Sequence, residues 1–324
     1  MTAQTLDQQF AGAMGSLLGP DFPDTIGLAV SGGGDSMAML ALAHNWARVW
    51  GVGLRVATVD HDLRDGSAAE AAMVAAECAQ LGHPHDTLKW QGWDGQGNLQ
   101  DAARRARLRL IGEWRADLRY VLMGHTRDDL AETFLMRVQR GSGVDGLAAM
   151  ASRRDVPEGF TIVRPLLGMA RADLRHYLRV LKMPWADDPS NDDPQFARVK
   201  VRQAMAALDL DTDRLADTAQ ALSLAREALQ ARALDVGGRV VHVHQGDVVL
   251  DRDGMAGVER ETQLRLLAAA VQYVASNPYR PRRAPLDSTL DTVLAGGTAT
   301  LHGAILAAKG AQIVVTRELA AVAK

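Results

Sequence analysis

The sequence predicts an α/β fold: a parallel sheet with helices on both faces, then a smaller, mostly helical C-terminal domain. Three observations predict it. Between residues 25 and 140, short apolar runs alternate with segments whose apolar residues recur at helical spacing, the pattern of a parallel sheet with crossover helices. A glycine-rich turn directly follows the first apolar run. From about residue 211 the chain turns alanine-rich and helical. A length of 324 residues suits two domains, 1–210 and 211–324.

Taken in order, the candidate strands are Thr25–Ser31, Leu54–Asp60, Asp86–Trp90 and Tyr120–Gly124. Candidate helices Ser36–Arg48, Ser67–Leu81 and Leu99–Trp114 lie between them, and a fourth runs from about Asp128 to Arg140. The turn Gly141-Ser142-Gly143 opens a poorly periodic stretch to Gly159, after which Ile162-Val163 adds a strand. Arg171–Leu181 reads as a helix, Pro184, Pro189 and Pro194 mark an irregular segment, and Val201–Leu208 resumes helical spacing. A long helix is expected from Asp211 to Leu234. The Val240–His244 strand would pair with Asp247–Asp251 across the turn at Gln245-Gly246. Glu259–Ala275 is helical, and the remainder mixes a helix with short strands. Ligands of such sheets bind at the carboxyl ends of the strands, the edge that would gather Ser31, Asp60 and Gly124.

Composition narrows the function classes. The chain is 47% hydrophobic with a net charge of −3, so it can build a sizeable core and gives no global basic signal for nucleic acid. No apolar stretch reaches membrane-spanning length, and Asp7, Asp21 and Asp24 replace the basic leader of a secreted protein. A cytoplasmic, non-membrane protein is expected. Lys89, Lys182, Lys200, Lys309 and Lys324 are the only lysines among 36 basic residues, and the planar arginine fork suits phosphate. Cys78, the single cysteine, falls with Val74 and Leu81 at helical spacing and reads as a buried thiol. One cysteine excludes internal disulfides, a four-cysteine zinc site and a self-contained iron–sulfur cluster.

The segment Ser31-Gly32-Gly33-Gly34-Asp35-Ser36 joins strand to helix. Glycines let the backbone approach phosphate oxygens, and the free N–H groups of the helix start face the anion. No lysine follows, so it is not a Walker loop; a plain glycine turn is the alternative. Asp60 and His61 close the second strand, where a backbone edge could read adenine and a side chain could reach a ribose; a polar strand end explains them equally well. After the fourth strand come Gly124 and His125, then Asp128, Asp129 and Glu132 at the start of a helix. Carboxylates there favour the helix dipole or act as caps. Alternatively they hold magnesium or a cationic substrate, with Asp35 on the same edge. Arg104, Arg105, Arg107 and Arg109 crowd one helix, and Arg137 and Arg140 end another: a solvated face, a neutraliser of departing pyrophosphate, or contacts to a phosphate backbone. His83-x-His85 and His242-x-His244 lack a cysteine or carboxylate at metal-binding spacing.

The loop resembles that of ATP-pyrophosphatases, which cleave ATP to AMP and pyrophosphate. In order along the chain, Ser31–Ser36, Asp60–Arg64, Asn98–Arg107, Gly124–Thr133, Arg137–Met150, Arg164–Leu167 and Pro184–Arg202 together resemble the tRNA(Ile)-lysidine synthases. The narrowest of these signatures are Gly-His-x-x-Asp-Asp-x-x-Glu-Thr, Arg140–Leu147 and Asp188-Pro189-Ser190-Asn191-Asp192-Asp193. The resemblance covers about residues 25–205 and departs mildly at Leu108, where an aromatic residue is expected. It implies an adenine nucleotide α-hydrolase-like fold, in the short form without a third domain.

The resemblance also implies a reaction. The C2 carbonyl oxygen of the wobble cytidine of a CAU-anticodon isoleucine tRNA attacks the α-phosphate of ATP, and the amine of free L-lysine then displaces AMP. It implies ATP bound by Ser31, Gly32, Gly33, Gly34, Asp35, Ser36, Asp60, His61, Gly124 and His125, and Mg2+ on Asp35 and Asp129. Asp128 or Asp129 would orient the lysine amine and take its proton. Glu132 and Arg140 would join them in substrate binding, and Arg104 and Arg107 would meet phosphate or cytidine. Thiolases with the same loop use paired or clustered cysteines and fit poorly. An ATP-dependent ligase or amidotransferase acting on a small metabolite is the rival from another class. The oligomeric state is open, a homodimer included.

Overall fold

The computed structural model describes residues 4–61, 66–91, 93, 96–187, 195 and 197–318. Contacts divide the chain into two compact units, Met1–Leu222 and Ser223–Lys324. The division falls within one continuous helix, Thr212–Val240, rather than at the change of pattern near residue 210.

The first unit runs α1 (Leu6–Leu18), β1 (Thr25–Ala29), α2 (Gly34–Trp50), β2 (Gly53–Asp60), α3 (Ser67–Leu81), β3 (His85–Lys89), α4 (Leu99–Trp114), β4 (Tyr120–Met123), α5 (Arg127–Gln139), α6 (Val144–Leu147), β5 (Arg153–Asp155), β6 (Thr161–Val163), α7 (Arg171–Leu181), α8 (Ala197–Ala207) and the start of α9 (Thr212–Val240). Its six strands lie in the order β3-β2-β1-β4-β6-β5, all parallel except the β5–β6 pair. The chain winds outward from β1 to β3 on one side and from β4 to β6 on the other. The order therefore reverses between β1 and β4, and a crevice opens there at their carboxyl ends.

Strand alternation sends successive side chains to opposite helix layers. In β4, Val121 and Met123 pack with Ile111 of α4, while Leu122 packs with the opposite layer. That layer is built from Phe10 and Met14 of α1, Met37 and Leu40 of α2, Val74 and Cys78 of α3, and Leu174 and Leu178 of α7. Cys78 is fully buried, and burial, aided by Glu77, raises its thiol pKa to about 12. The helix α1 was not among the elements read from sequence: a capping box at Thr5 and Gln8 starts it, and Phe10, Met14 and Leu18 form its buried stripe. The edge strand β5 has three exposed residues and no alternation; pairing with β6 alone defines it.

The second unit holds the rest of α9, then β7 (Val241–His244), β8 (Asp247–Asp251), α10 (Arg252–Ala256), α11 (Arg260–Ala275), α12 (Arg283–Leu294), β9 (Thr298–Leu301), β10 (Ala304–Lys309) and β11 (Gln312–Arg317). Its helices accompany a five-stranded antiparallel sheet in the order β7-β8-β11-β10-β9, with Leu250, Leu267, Val271, Leu290, Leu306 and Val315 in the core. Among the described residues no helix is long and apolar enough to cross a membrane.

Candidate active site at the sheet edge

The glycine-rich loop links β1 to α2. Gly32 takes φ +90°, a conformation that a side chain would strain. The Ser36 hydroxyl accepts from Ser31 N at 3.1 Å and donates to Gly33 O at 2.9 Å, so this serine shapes the turn from within. Ala186 N donates to Gly32 O at 2.9 Å and pins the loop from outside. No side chain caps the start of α2 at Gly33, which leaves its first N–H groups available to an anion. Across the crevice, Gly124, the residue after β4, lies so close to the loop that a Cβ there would stand 3.1 Å from Ser36 Cα and 3.2 Å from Asp35 O.

Beside the loop, one guanidinium gathers the carboxylates. Arg171, the first residue of α7, donates from Nε to Asp35 Oδ2 at 3.0 Å, from Nη1 to Glu132 Oε1 at 2.9 Å and from Nη2 to Asp129 Oδ1 at 3.3 Å. Its backbone N–H donates to Asp128 Oδ2 at 2.8 Å. Two arginines of α8 complete the cluster: Arg198 reaches Asp129 Oδ1 at 3.3 Å, and Arg202 reaches Glu132 Oε1 at 2.6 Å. Glu132, only 2% exposed, is thus held by two cations, as a buried carboxylate must be.

The carboxylates differ in state. Burial raises the Asp35 pKa above the ordinary carboxylate value, although Arg171 opposes the shift. Its Oδ1 is buried and has no hydrogen-bond partner. Asp129 is also penalised by burial, but Arg171, Arg198 and the Thr126 N–H outweigh the penalty and hold it below its usual value. Both of its oxygens are engaged, Oδ2 by the N–H and hydroxyl of Thr126 in the cap of α5. Of the two, Asp35 is therefore the acid with a buried oxygen that lacks a partner among the described residues, an oxygen suited to a cation. A cavity of about 320 Å³ opens beside the cluster, lined by Asp128, Glu132, Arg171, Arg202, Met205, Ala206, Asp209, Leu210 and Thr212.

On the other side of Gly124, His125 Nδ1 accepts from Arg164 Nε at 3.3 Å. Burial is the main cause that lowers the His125 pKa to about 4, with Arg164, Arg198 and Arg107 adding to it against Asp129. His61 is likewise lowered to about 4 by burial and Arg107, whose Nη2 lies 3.5 Å from His61 Nε2. The His61 ring stands edge-on to Trp90 at 5.5 Å. Asp60 is buried at the end of β2.

The crevice thus brings together Ser31, Gly32, Gly33, Gly34, Asp35, Ser36, Gly124, Asp128, Asp129 and Glu132. Asp60, His61 and Arg107 lie along the same edge. Arg104 is exposed on α4, one turn from Arg107. Arg140 is exposed at the far end of α5, about 18 Å of helix rise from Asp128, and does not join the cluster. His83 and His85 do not act as a pair: His44 Nδ1 meets His83 Nε2 at 2.9 Å, and His85 Nε2 meets Thr58 Oγ1 at 2.8 Å. Asp62–Arg64 and Asp188–Asp193 lie outside the described residues. Arg171, Arg198, Arg202 and Arg164 carry the electrostatics of the site, and the sequence reading gave none of them a role. Arg164, Arg198 and Arg202 fall within segments that carry the family resemblance, whereas for Arg171 the one available signal was the arginine excess.

Residues 6–208 match the family model of the PP-loop domain. The tRNA(Ile)-lysidine synthase of Ruegeria pomeroyi is 44% identical over 305 residues, covering 93% of this chain and 73% of that one. The chain belongs to the tRNA(Ile)-lysidine synthase family. Its counterpart in Hyphomonas neptunium is 37% identical over 95% of this chain and 86% of that protein. Among solved structures, the U34-tRNA thiolase NcsA from Methanococcus maripaludis with its [4Fe-4S] cluster superposes with a TM-score of 0.56 over 69% of this chain and 79% of its own, at 16% identity. That likeness is one of fold.

Proposed function

We propose that this chain ligates free L-lysine to C2 of the wobble cytidine of CAU-anticodon isoleucine tRNA, with ATP consumed to AMP and pyrophosphate. One observation carries the reading beyond family membership. The carboxylates of α5 and the acid of the glycine-rich loop are held by the same guanidinium, Arg171, so groups for a cationic amine adjoin groups for a triphosphate. A reaction in which an amine displaces AMP from an activated base needs that adjacency.

ATP fits the loop. The uncapped N–H groups of α2 and the glycines of Gly32–Gly34 would cradle phosphate, and Asp60 and His61 would meet adenosine. Magnesium also fits: the unpartnered Asp35 Oδ1 would hold it together with phosphate oxygens, and it would neutralise charge on the departing pyrophosphate. Asp129, with both oxygens engaged, would act near the metal and the amine mainly through Arg171 and Arg198. The cavity beside Glu132 would receive lysine, since its wall offers carboxylates to an ammonium and arginines to a carboxylate. Asp128, whose Oδ2 anchors the start of α7, would orient the amine and accept its proton. Arg104 and Arg107 would meet the cytidine or its phosphate, the base being unstacked from the anticodon loop. Arg140 and the unit Ser223–Lys324 would contribute contacts to the tRNA outside the reacting centre.

ATP turnover tests the reading. AMP and pyrophosphate should form only with CAU isoleucine tRNA present, and RNase treatment should abolish them. AMP formation that survives RNase would instead favour a small-metabolite ligase.

A further inference from the structure

Arg164 is a buried cation without a buried anion. It directly follows β6, at the carboxyl edge of the sheet, and is 4% exposed. Its Nη1 donates to Ala151 O at 2.6 Å and its Nε to His125 Nδ1 at 3.3 Å. Among the described residues no carboxylate pairs with it. Burial, together with Arg154 and Arg104, lowers its pKa to about 10, yet it remains charged at neutral pH. A charge kept at that cost, beside a nucleotide loop, calls for a function.

The contact with His125 has a chemical consequence. A guanidinium has donors only, so the imidazole nitrogen facing it must carry a lone pair and no proton. The ring is neutral, because burial and three neighbouring arginines resist its protonation. Its one proton therefore resides on Nε2. That nitrogen has no protein acceptor among the described residues. His125 directly follows Gly124, which abuts the backbone of Asp35 and Ser36.

We propose that Arg164 is a positioning residue that fixes His125 as its Nε2–H tautomer, making His125 a neutral hydrogen-bond donor to a phosphoryl oxygen of the nucleotide in the loop. This rests on the ATP reading above and assigns roles within it. His125 is then not a general base: its free nitrogen is already occupied by Arg164, and no proton leaves or joins the ring during the reaction. The cation behind the ring polarises the N–H and strengthens its bond to an anion. Charge that gathers on the α-phosphate as pyrophosphate departs is met by a preorganised donor.

The test is long-range 1H–15N correlation of the full chain labelled with 15N-histidine, with His125→Gln used to assign the resonance. Wild-type protein should show His125 protonated at Nε2, bare at Nδ1, and neutral through pH 5. Arg164→Lys, which keeps a cationic donor, should retain that tautomer, whereas Arg164→Met should shift it toward Nδ1–H. AMP release should fall on the order of 10- to 100-fold in Arg164→Met, the range for outer positioning partners, while KM for lysine changes little. An Nδ1–H tautomer in the wild type overturns the proposal without any variant having to fold. ATP is then added and its binding followed by calorimetry on the same samples. Movement of the Nε2 resonance supports the donor role. Binding without movement overturns it, and absence of binding overturns the loop reading on which it rests.

Discussion

Arg171 and Asp35 are 136 residues apart in sequence and 3.0 Å apart in space, and this one ion pair ties the nucleotide loop to the acidic start of α5. Arg171 also holds Asp129 and Glu132. Removing it with Arg171→Ala would leave three largely buried carboxylates facing one another. Breaking a buried pair from one side costs roughly 3–5 kcal/mol, so the urea midpoint should drop sharply and lysidine formation should stop. An unchanged midpoint would mean that the cluster contributes no stability.

Asp35→Asn keeps the size of the side chain and an oxygen acceptor for Arg171 but removes the charge. The variant should fold with a near-normal thermal midpoint, because burial already penalises the charged form. It should nonetheless lose pyrophosphate release by at least two orders of magnitude, the scale of an electrostatic contact to developing charge. Normal release would refute the magnesium role.

Glu132→Gln separates the two steps. Glu132 belongs to α5 rather than to the glycine-rich loop, and it lines the cavity assigned to lysine. KM for lysine should rise roughly tenfold, equivalent to about 1.4 kcal/mol, with adenylation of the tRNA retained. Comparing lysine transfer with AMP–tRNA formation under single-turnover conditions decides the matter.

Gly124→Ala probes the closeness of β4 to the loop. The new Cβ would press on the backbone of Asp35 and Ser36, which has no flexible end to move aside. Overpacking of this kind costs typically about 1–3 kcal/mol. The expected outcome is a weaker apparent affinity for ATP at unchanged lysine KM.

Acid should weaken the fold in a defined direction. Burial lowers the pKa of both His44 and His83 from 6.5, and their 2.9 Å contact needs one ring nitrogen bare. The unfolded chain takes up protons at the ordinary value while the folded chain resists, so stability rises with pH through this region and is lost as pH falls below 6.5. His61 and His125 extend the loss toward pH 4. Urea midpoints measured on either side of pH 6.5 should diverge less in His44→Asn/His83→Asn than in the wild type.

The parts of the fold set by local pattern could be read from sequence: Ser67–Leu81, Leu99–Trp114 and Arg171–Leu181 are helices with the predicted limits. Periodicity and capping are properties of a single segment. The glycine loop and Gly124 were legible for the same reason, since a tight turn after a strand has its own residue chemistry. The partners of the acids were not. Arg171, Arg198 and Arg202 reach Asp129 and Glu132 across 39 to 70 residues of sequence. No window contains both ends of such a contact, and in a chain this rich in arginine nothing marks the ones that turn inward. The long α9 hid the division at Leu222 because helical periodicity continues through it.

Incorporation of radiolabelled L-lysine into tRNA shows whether this chain transfers lysine to one tRNA alone. With ATP and magnesium, label should enter CAU isoleucine tRNA and not CAU methionine tRNA, and Asp35→Asn should abolish it. Equal labelling of both tRNAs, or none in either while AMP still forms, would rule out a lysine ligase specific for that tRNA.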